Sequence, residues 1–287
     1  MQVVSPSISL RGSLVTFHQP WVLGILNVTP DSFHDGGAHV AVNDAVAAAD
    51  RMVAEGADAL DLGAQSTKPG ALPVDAATEW NRLEPVLHAV RERHPELPLS
   101  VDTFHARVAE RALAAGADLV NDVSGGKADP DMWHVVAEAR APYVLMHMQG
   151  TPQTMQANPT YDDVVCEVRE ALEAAMHRAW DCGVGDVILD VGFGFGKRLE
   201  HNYELLRNLD VLAALGAPLL VGVSRKSMIQ RVLGVDSRGA LNGTTALHAW
   251  ALDRGAHVLR VHDVAAAREV VHLHNALHAT RQTPPVA

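Results

Sequence analysis

Eight short apolar runs in this chain each close on a residue or pair that a protein core rarely accepts, and helical patterns separate one run from the next. The closing residues are Asn27, Asp61, Asp102, Asn121, Met146 with His147, Asp190, Ser224 with Lys226, and Arg260 with His262. Most of the runs are continuously apolar, as strands buried on both faces must be. The pattern predicts an α/β chain of eight parallel strands, each followed by a helix and closed into a (β/α)8 TIM barrel. In such a barrel the strand ends converge on one mouth, where active sites are built. The eight endings therefore form one candidate site.

The strands are placed near residues 21 to 27, 59 to 64, 98 to 103, 118 to 122, 142 to 147, 187 to 191, 218 to 223 and 257 to 262. Between them Ala76, Trp80, Leu83, Leu87 and Val90 recur at helical spacing, as do Val165, Val168, Leu172, Ala175 and Ala179, so each set is a core-facing stripe. Four helices close on a shared punctuation, EGAD (55–58), AGAD (115–118), LGAP (215–218) and RGAH (254–257), in which glycine supplies the left-handed cap that turns the chain into the next strand. Residues 3 to 17 alternate loosely around Gly12 and predict an N-terminal hairpin or extended cap. The expectation is a single domain over residues 1–287, with the barrel at about 21–280 and a flexible tail at 281–287.

Charge limits the partners. The chain carries 23 basic against 34 acidic residues, a net charge of −11, and has no Lys/Arg-rich stretch, which argues against nucleic acid. No run approaches the roughly 18 apolar residues of a membrane span, and residues 1 to 20 lack the pattern of a signal peptide. A cytoplasmic chain with no membrane partner is expected. Cys166 and Cys182 lie in or just after one helical pattern, outside any CxxC pair, and read as reduced helix residues. An anionic substrate would need a local cationic clamp.

The first barrel strand runs into GILNVTPDSFHDGG (24–37), too polar and glycine-rich to be packed. A mobile loop over the mouth is the expectation, and a plain connecting loop the alternative. Asn27 and Asp31 offer oxygens of the kind Mg²⁺ accepts beside water and phosphate, though either could equally cap a turn. The second loop, AQSTKPGA (64–71), offers the hydroxyls of Ser66 and Thr67 and the Lys68 cation to a phosphate oxygen. The third, fourth and sixth strands contribute Asp102, Asn121 with Asp122, and Asp190. An inward carboxylate in an apolar strand is costly unless it is paired or hydrogen bonded. A flat heterocycle rich in N–H donors would satisfy these groups, with Asn121 both donating and accepting. A salt-bridge network closing the barrel top would satisfy them too.

GFGFGK (192–197) is not a nucleotide loop. A P-loop ending on Gly196 and Lys197 would need glycine where Val191 stands and Ser or Thr where Arg198 stands, and the dinucleotide fingerprint fails at its last glycine. What remains is a flexible loop whose Phe193 and Phe195 can lie against a ring. SRKS (224–227) and RVHDV (260–264) follow the last two strands, where this fold commonly binds phosphate. Arg260 offers bidentate contact and His262 a further donor, with Arg225, Lys226 and Lys68 as additional charge. His272, His274 and His278 sit on the last helix without an HExxH motif and read as exposed surface.

NVTPDSFHDGG, QSTKPGA, SVDT, VNDVSGG, DVGFGFGK with LEHNYELLRNL after it, VGVSRKS and RVHDV follow one another in the order and spacing of the signature segments of the dihydropteroate synthases, from about Trp21 to Val271. The chain resembles that family throughout this stretch. The resemblance implies a TIM-barrel transferase that joins p-aminobenzoate to 6-hydroxymethyl-7,8-dihydropterin pyrophosphate, releasing pyrophosphate and forming 7,8-dihydropteroate for folate synthesis. It also implies Mg²⁺, a homodimer and sensitivity to sulfonamides.

By the same resemblance, Asp102, Asn121, Asp190 and Lys226 hold the pterin, with Met146 and Gly194 packed around it. Asn27, Lys68, Arg260 and His262 form the pyrophosphate site, Asn27 with Mg²⁺. Thr67, Phe195 and Ser227 border the p-aminobenzoate pocket, and Asp102, Lys226, Arg260 and His262 carry the catalysis. The implied mechanism is dissociative: pyrophosphate leaves first and the amine attacks a delocalised pterin cation. Asp102 and Asp190 would stabilise that cation, while Arg260, His262 and Mg²⁺ stabilise the leaving group. Three positions depart from the family pattern. Gln65 and Lys68 stand where glutamate and arginine are usual, and Val191 where proline is usual. Lysine keeps the charge but loses arginine's planar fork. Two other readings fit parts of the chain: a non-catalytic pterin-binding paralogue, favoured by Gln65 and Lys68, and a pterin-dependent methyltransferase, which would not need Arg260, His262 or SRKS.

Overall fold

The polar strand ends are brought together by a barrel that closes in sequence order. The computed structural model describes residues 5–28, 37–65 and 74–279. An antiparallel hairpin, β1 (Ser7–Leu10) and β2 (Ser13–Thr16), precedes eight parallel strands: β3 (Trp21–Asn27), β4 (Ala59–Gly63), β5 (Leu99–Asp102), β6 (Leu119–Asp122), β7 (Tyr143–Met146), β8 (Val187–Asp190), β9 (Leu219–Val221) and β10 (Val258–Val261). β10 pairs with β3, which completes the ring. The helices are α1 (Gly37–Ala54), α2 (Ala76–Arg93), α3 (Ala106–Ala114), α4 (Met132–Ala139), α5 (Val164–Asp181), α6 (Leu199–Arg207), α7 (Leu209–Ala213), α8 (Ser227–Leu233), α9 (Leu241–Asp253) and α10 (Val264–Ala279). β8 and β9 are each followed by two helices, where the sequence pattern predicts one.

Side chains alternate across each strand, and the two faces build two cores. Leu23, Ala59, Leu119, Val144, Ile188, Leu220 and Val258 face inward and pack with Ile8, Leu10 and Phe17. The N-terminal hairpin is therefore the apolar floor of the barrel. Leu60, Leu62, Val101, Val120, Leu145, Leu189, Val221 and Leu259 face outward, onto the helices. There α2 buries Trp80, Leu83, Leu87 and Val90, and α5 buries Val168, Leu172, Ala175 and Ala179. Truncating Leu83 or Leu172 to alanine would remove a fully enclosed side chain, at a cost of about 2–5 kcal/mol.

The four punctuation glycines, Gly56, Gly116, Gly216 and Gly255, all adopt positive φ, from 85° to 103°. The aspartates in EGAD and AGAD add a second function. Asp58 accepts from Val22 N–H at 2.7 Å and pairs with Arg268, while Asp118 accepts from Leu99 N–H at 2.8 Å and pairs with Arg91. Cys166 lies in α5, Cys182 follows it, and both are free thiols. Among the described residues no helix is long and apolar enough to cross a membrane. The tail at 281–287 lies outside the described residues.

Candidate active site

Continuing the inward set of each strand toward its C-terminal end places Asn27, Asp61, Asp102, Asn121, Met146, Asp190, Arg260 and His262 on one parity, facing the mouth. Asp122 and His147 fall on the other parity. Asp122 is accordingly not part of the inward carboxylate set. Its oxygens accept from Ser124 N–H at 2.7 Å, Gly126 N–H at 2.9 Å and the Tyr143 hydroxyl at 2.7 Å, so it is satisfied behind the barrel wall.

At the mouth, charge is paired across the barrel. Arg260 Nε donates to Asp61 Oδ2 at 2.6 Å and its Nη2 to Asp102 Oδ2 at 2.7 Å. Asn121 Nδ2 donates to the same Asp61 oxygen at 2.8 Å. The salt-bridge network left open by the sequence is thus present, and Arg260 is not a free clamp. Burial raises Asp102 and Asp190 above the ordinary carboxylate range, against the pull of Arg260 on the first and Lys226 on the second. Burial brings the Lys226 ammonium down to about 8, with Asp190 opposing the fall. For Arg260 burial again opposes charge, but Asp61 and Asp102 outweigh it and hold the guanidinium firmly protonated.

Two glycines border the mouth. A Cβ on Gly63 would occupy the space between Asp102 and Asn27 Oδ1, 3.4 Å from the first and 3.8 Å from the second. A Cβ on Gly222 would lie 3.9 Å from both Arg260 and the Lys226 ammonium. On one side Met146 packs with Val123, Met148 and Met155, and half-buried Phe104 and Phe195 complete this apolar wall. Lys226 Nζ sits 4.8 Å from the centre of the Phe195 ring and donates to the carbonyl of Phe193. Next to it, Gly194 lies against the Lys226 side chain.

The 192–197 segment corrects an expectation. It is not a loose loop with two available aromatic rings, because Phe193 is fully buried in the outer core and only Phe195 borders the mouth. The segment packs backbone to backbone on the end of β7, so closely that a Cβ on Gly192 would come within 2.0 Å of the His147 carbonyl oxygen. Lys197, a buried residue to which the sequence reading assigned no role, lies at its end.

The anion-facing end is less enclosed. His262 and Asn27 are exposed at the ends of their strands, and Ser227 is exposed at the start of α8. Ser224 Oγ accepts from His262 N–H at 3.2 Å and lies 3.1 Å from His262 Nδ1. If the hydroxyl donates to Nδ1, the ring proton is left on Nε2 as an outward donor. Partial enclosure and the nearby Arg260 and Arg225 cations lower the His262 pKa to about 4, so the ring is neutral near pH 7. Arg225 does not join the clamp, since Nε donates to Asp263 at 2.8 Å and Nη2 pairs with the same carboxylate. Asp31, Ser66, Thr67 and Lys68 lie outside the described residues.

Three contributors were not assigned from sequence. Asp61 was visible as a strand end, and its parity with Asp102 and Asn121 was the available signal. Lys197 looked like the end of a failed nucleotide motif. Glu79, in the first turn of α2, is fully buried and accepts from Gln65 Nε2 at 2.9 Å, and burial pushes its pKa up to about 8. His274 and His278 are half-buried with rings 4.3 Å apart, not simply exposed, and no group of three metal-ligating side chains occurs among the described residues.

A ring of hydrogen-bonding groups beside a cation and an apolar wall can hold a polar heterocycle, and Arg260 with His262 can receive an anion leaving it. Comparison with known proteins bears on this arrangement. A family described as "Pterin binding enzyme" matches residues 23–262. The dihydropteroate synthase of Synechocystis is 44% identical over 260 residues, 90% of this chain and 90% of that protein. Among solved structures, the Xanthomonas albilineans dihydropteroate synthase with 4-aminobenzoic acid superposes with a TM-score of 0.89 at 42% identity, covering 98% of this chain and 100% of the other. The enzyme from the same organism in complex with 7,8-dihydropteroate superposes with a TM-score of 0.85 at 40% identity, covering 97% and 100%.

Proposed function

Since this chain belongs to the dihydropteroate synthase family of pterin-binding transferases, we propose that residues 1–287 act as one unit that condenses 6-hydroxymethyl-7,8-dihydropterin pyrophosphate with p-aminobenzoate to give 7,8-dihydropteroate and pyrophosphate. The observation that carries the residue assignment is the convergence of Asp102, Asn121, Asp190 and Lys226 on one mouth. Asp190 Oδ1 already accepts Gly192 N–H at 2.7 Å, which leaves Oδ2 for a pterin N–H. Asn121 donates to Asp61, which leaves its Oδ1 to accept from the ring. Lys226 supplies a donor at the pterin edge, and Met146 and Gly194 close around the ring.

Arg260 remains anchored through Asp61 while Asp102 turns to the pterin, and the freed Nη2 then meets the pyrophosphate. His262 adds the donor that Ser224 orients, and Asn27 and Lys68 complete the anion site. Bond breaking leaves positive charge spread over the pterin, stabilised by the carboxylates of Asp102 and Asp190. Negative charge gathers on the leaving group, facing Arg260 and His262. Thr67, Phe195 and Ser227 present the amine to the cation.

The donor set at Asn27 fits Mg²⁺, since Asn27 Oδ1 and the Asp102 carboxylate both lie beside Gly63 and Mg²⁺ commonly relies on water and substrate phosphate for its remaining ligands. When bound, it would neutralise charge on the pyrophosphate. The exposed apolar residues of α9 and α10, with Trp250 at 48% and Leu273 at 68% exposure, support a homodimer through this face. Trp250→Glu should then give monomers in sedimentation. The family's role in folate synthesis supports a cytoplasmic location.

The direct test is pyrophosphate release from dihydropterin pyrophosphate and Mg²⁺, with and without p-aminobenzoate. Release coupled to dihydropteroate formation is expected. Tight pterin binding without product would point to a non-catalytic paralogue.

A further inference from the structure

Lys197 has 2% of its surface exposed, yet its hydrogen bonds go to neutral acceptors. Its Nζ donates to the carbonyls of Gly192 at 3.0 Å, Phe195 at 3.0 Å and His147 at 3.3 Å, and lies 3.0 Å from His147 Nδ1. Burying an ammonium is costly, and burial lowers its pKa to about 7, with the Asp190 carboxylate opposing the fall. The acceptors divide into two sets. Gly192 and Phe195 belong to the 192–197 segment, and His147 belongs to the end of β7.

One ammonium therefore ties the segment to the barrel. The contact itself is too close for side chains on the glycines, because a Cβ on Gly192 or Gly196 would come within 2.0 Å or 2.4 Å of the carbonyl oxygens of His147 or Gln149, and the Tyr161 hydroxyl donates to the Gly196 carbonyl beside it at 2.7 Å. The tied segment carries the Phe195 ring and the Phe193 carbonyl that receives Lys226. Its outer side is held by Gly194 N–H donating to Asn202 Oδ1 at 2.7 Å. Asp102 and Asn121 sit on β5 and β6, away from the segment, whereas Asp190 accepts from Gly192 N–H at 2.7 Å and Lys226 reaches the Phe193 carbonyl.

We propose that Lys197 is a positioning residue for the p-aminobenzoate half of the reaction: by bridging His147 to the carbonyls of Gly192 and Phe195, it holds the Phe195 ring at the edge where the amine enters. The proposal rests on the assignment of Phe195 to the p-aminobenzoate pocket. It places the larger effect of Lys197 on the second substrate and a smaller one on the pterin, through Gly192, which donates to Asp190, and Phe193, which receives Lys226.

The test uses the full chain with Lys197→Met, Phe195→Ala and the double variant. Lys197→Met should raise KM for p-aminobenzoate by about tenfold or more, since small displacements of a positioning group have large kinetic effects. The Kd for dihydropterin pyrophosphate should rise by less. In the double variant the two effects on KM should not add, because they act through one ring. Backbone amides of Gly194 and Phe195 should exchange faster in Lys197→Met. Equal losses on both substrates, or additive effects of the two substitutions, would overturn the proposal. Should Lys197→Met not fold, Lys197→Gln is the second variant: a KM for p-aminobenzoate that rises more than the pterin Kd supports the tie, and equal changes refute it. An unchanged KM in Phe195→Ala would refute the assignment of Phe195, while the exchange rates in Lys197→Met would still report on the tie itself.

Discussion

Arg260 Nε lies 2.6 Å from Oδ2 of Asp61, a carboxylate with no exposed surface on a strand 199 residues earlier in the chain. The pair is not isolated, since Asn121 donates to the same oxygen. Removing one partner of a buried ion pair leaves the other charge desolvated, which costs about 3–5 kcal/mol. Asp61→Ala should therefore lower Tm on the order of 10 °C and depress turnover by releasing Arg260. A calorimetric scan with steady-state kinetics checks both, and an unchanged Tm would remove Asp61 from the anchoring role.

Lys226→Ala should abolish measurable pterin binding, because the substitution takes the cation from beside Asp190. His262→Ala should spare pterin affinity and lower turnover by about 10 to 100-fold, as expected for a donor to the leaving group. Titration calorimetry and product formation separate the two. Equal loss of affinity and turnover in His262→Ala would sink this division of roles.

Asp190→Asn should reduce turnover far more than Gln65→Ala. The first loses the negative charge facing the pterin cation, while the second loses a bond to Glu79 behind the mouth. Similar residual turnover in the two variants would contradict the pterin assignment of Asp190.

Glu79 makes stability depend on pH. Its folded pKa of about 8 lies above the ordinary 4.5, because burial favours the neutral acid. A carboxyl raised in this way adds stability that is complete below about pH 4.5 and is lost as pH rises through about 8. Tm should fall across that window in the wild type, and Glu79→Gln, neutral throughout, should flatten the fall. Identical Tm profiles for the two proteins would exclude Glu79 as the titrating group.

Much of this architecture was legible before any coordinates. Short continuous apolar runs bounded by turn residues suit strands enclosed on both faces, and the eight barrel strands appear within a residue or two of their expected positions. Glycine after a helix has a local steric reason, and all four punctuation glycines turn with positive φ. The polar strand ends were legible for the same reason. Where sequence reading failed, the cause was not local. Phe193 and Phe195 look equivalent in GFGFGK, but one faces the outer core and the other the mouth. Arg225 and Lys226 are adjacent cations, yet Asp263 takes the first out of the site.

The sequence by itself determined the strands, the helix stripes and the polar strand ends, because alternation and helical period are properties of a few consecutive residues. Only the tertiary structure decided that Arg260 pairs with Asp61 and Asp102, that Asp122 turns away, and that Lys197 ties a loop to β7. Those outcomes depend on barrel closure and strand register, which bring distant groups within hydrogen-bond reach and exclude the water that would otherwise satisfy them.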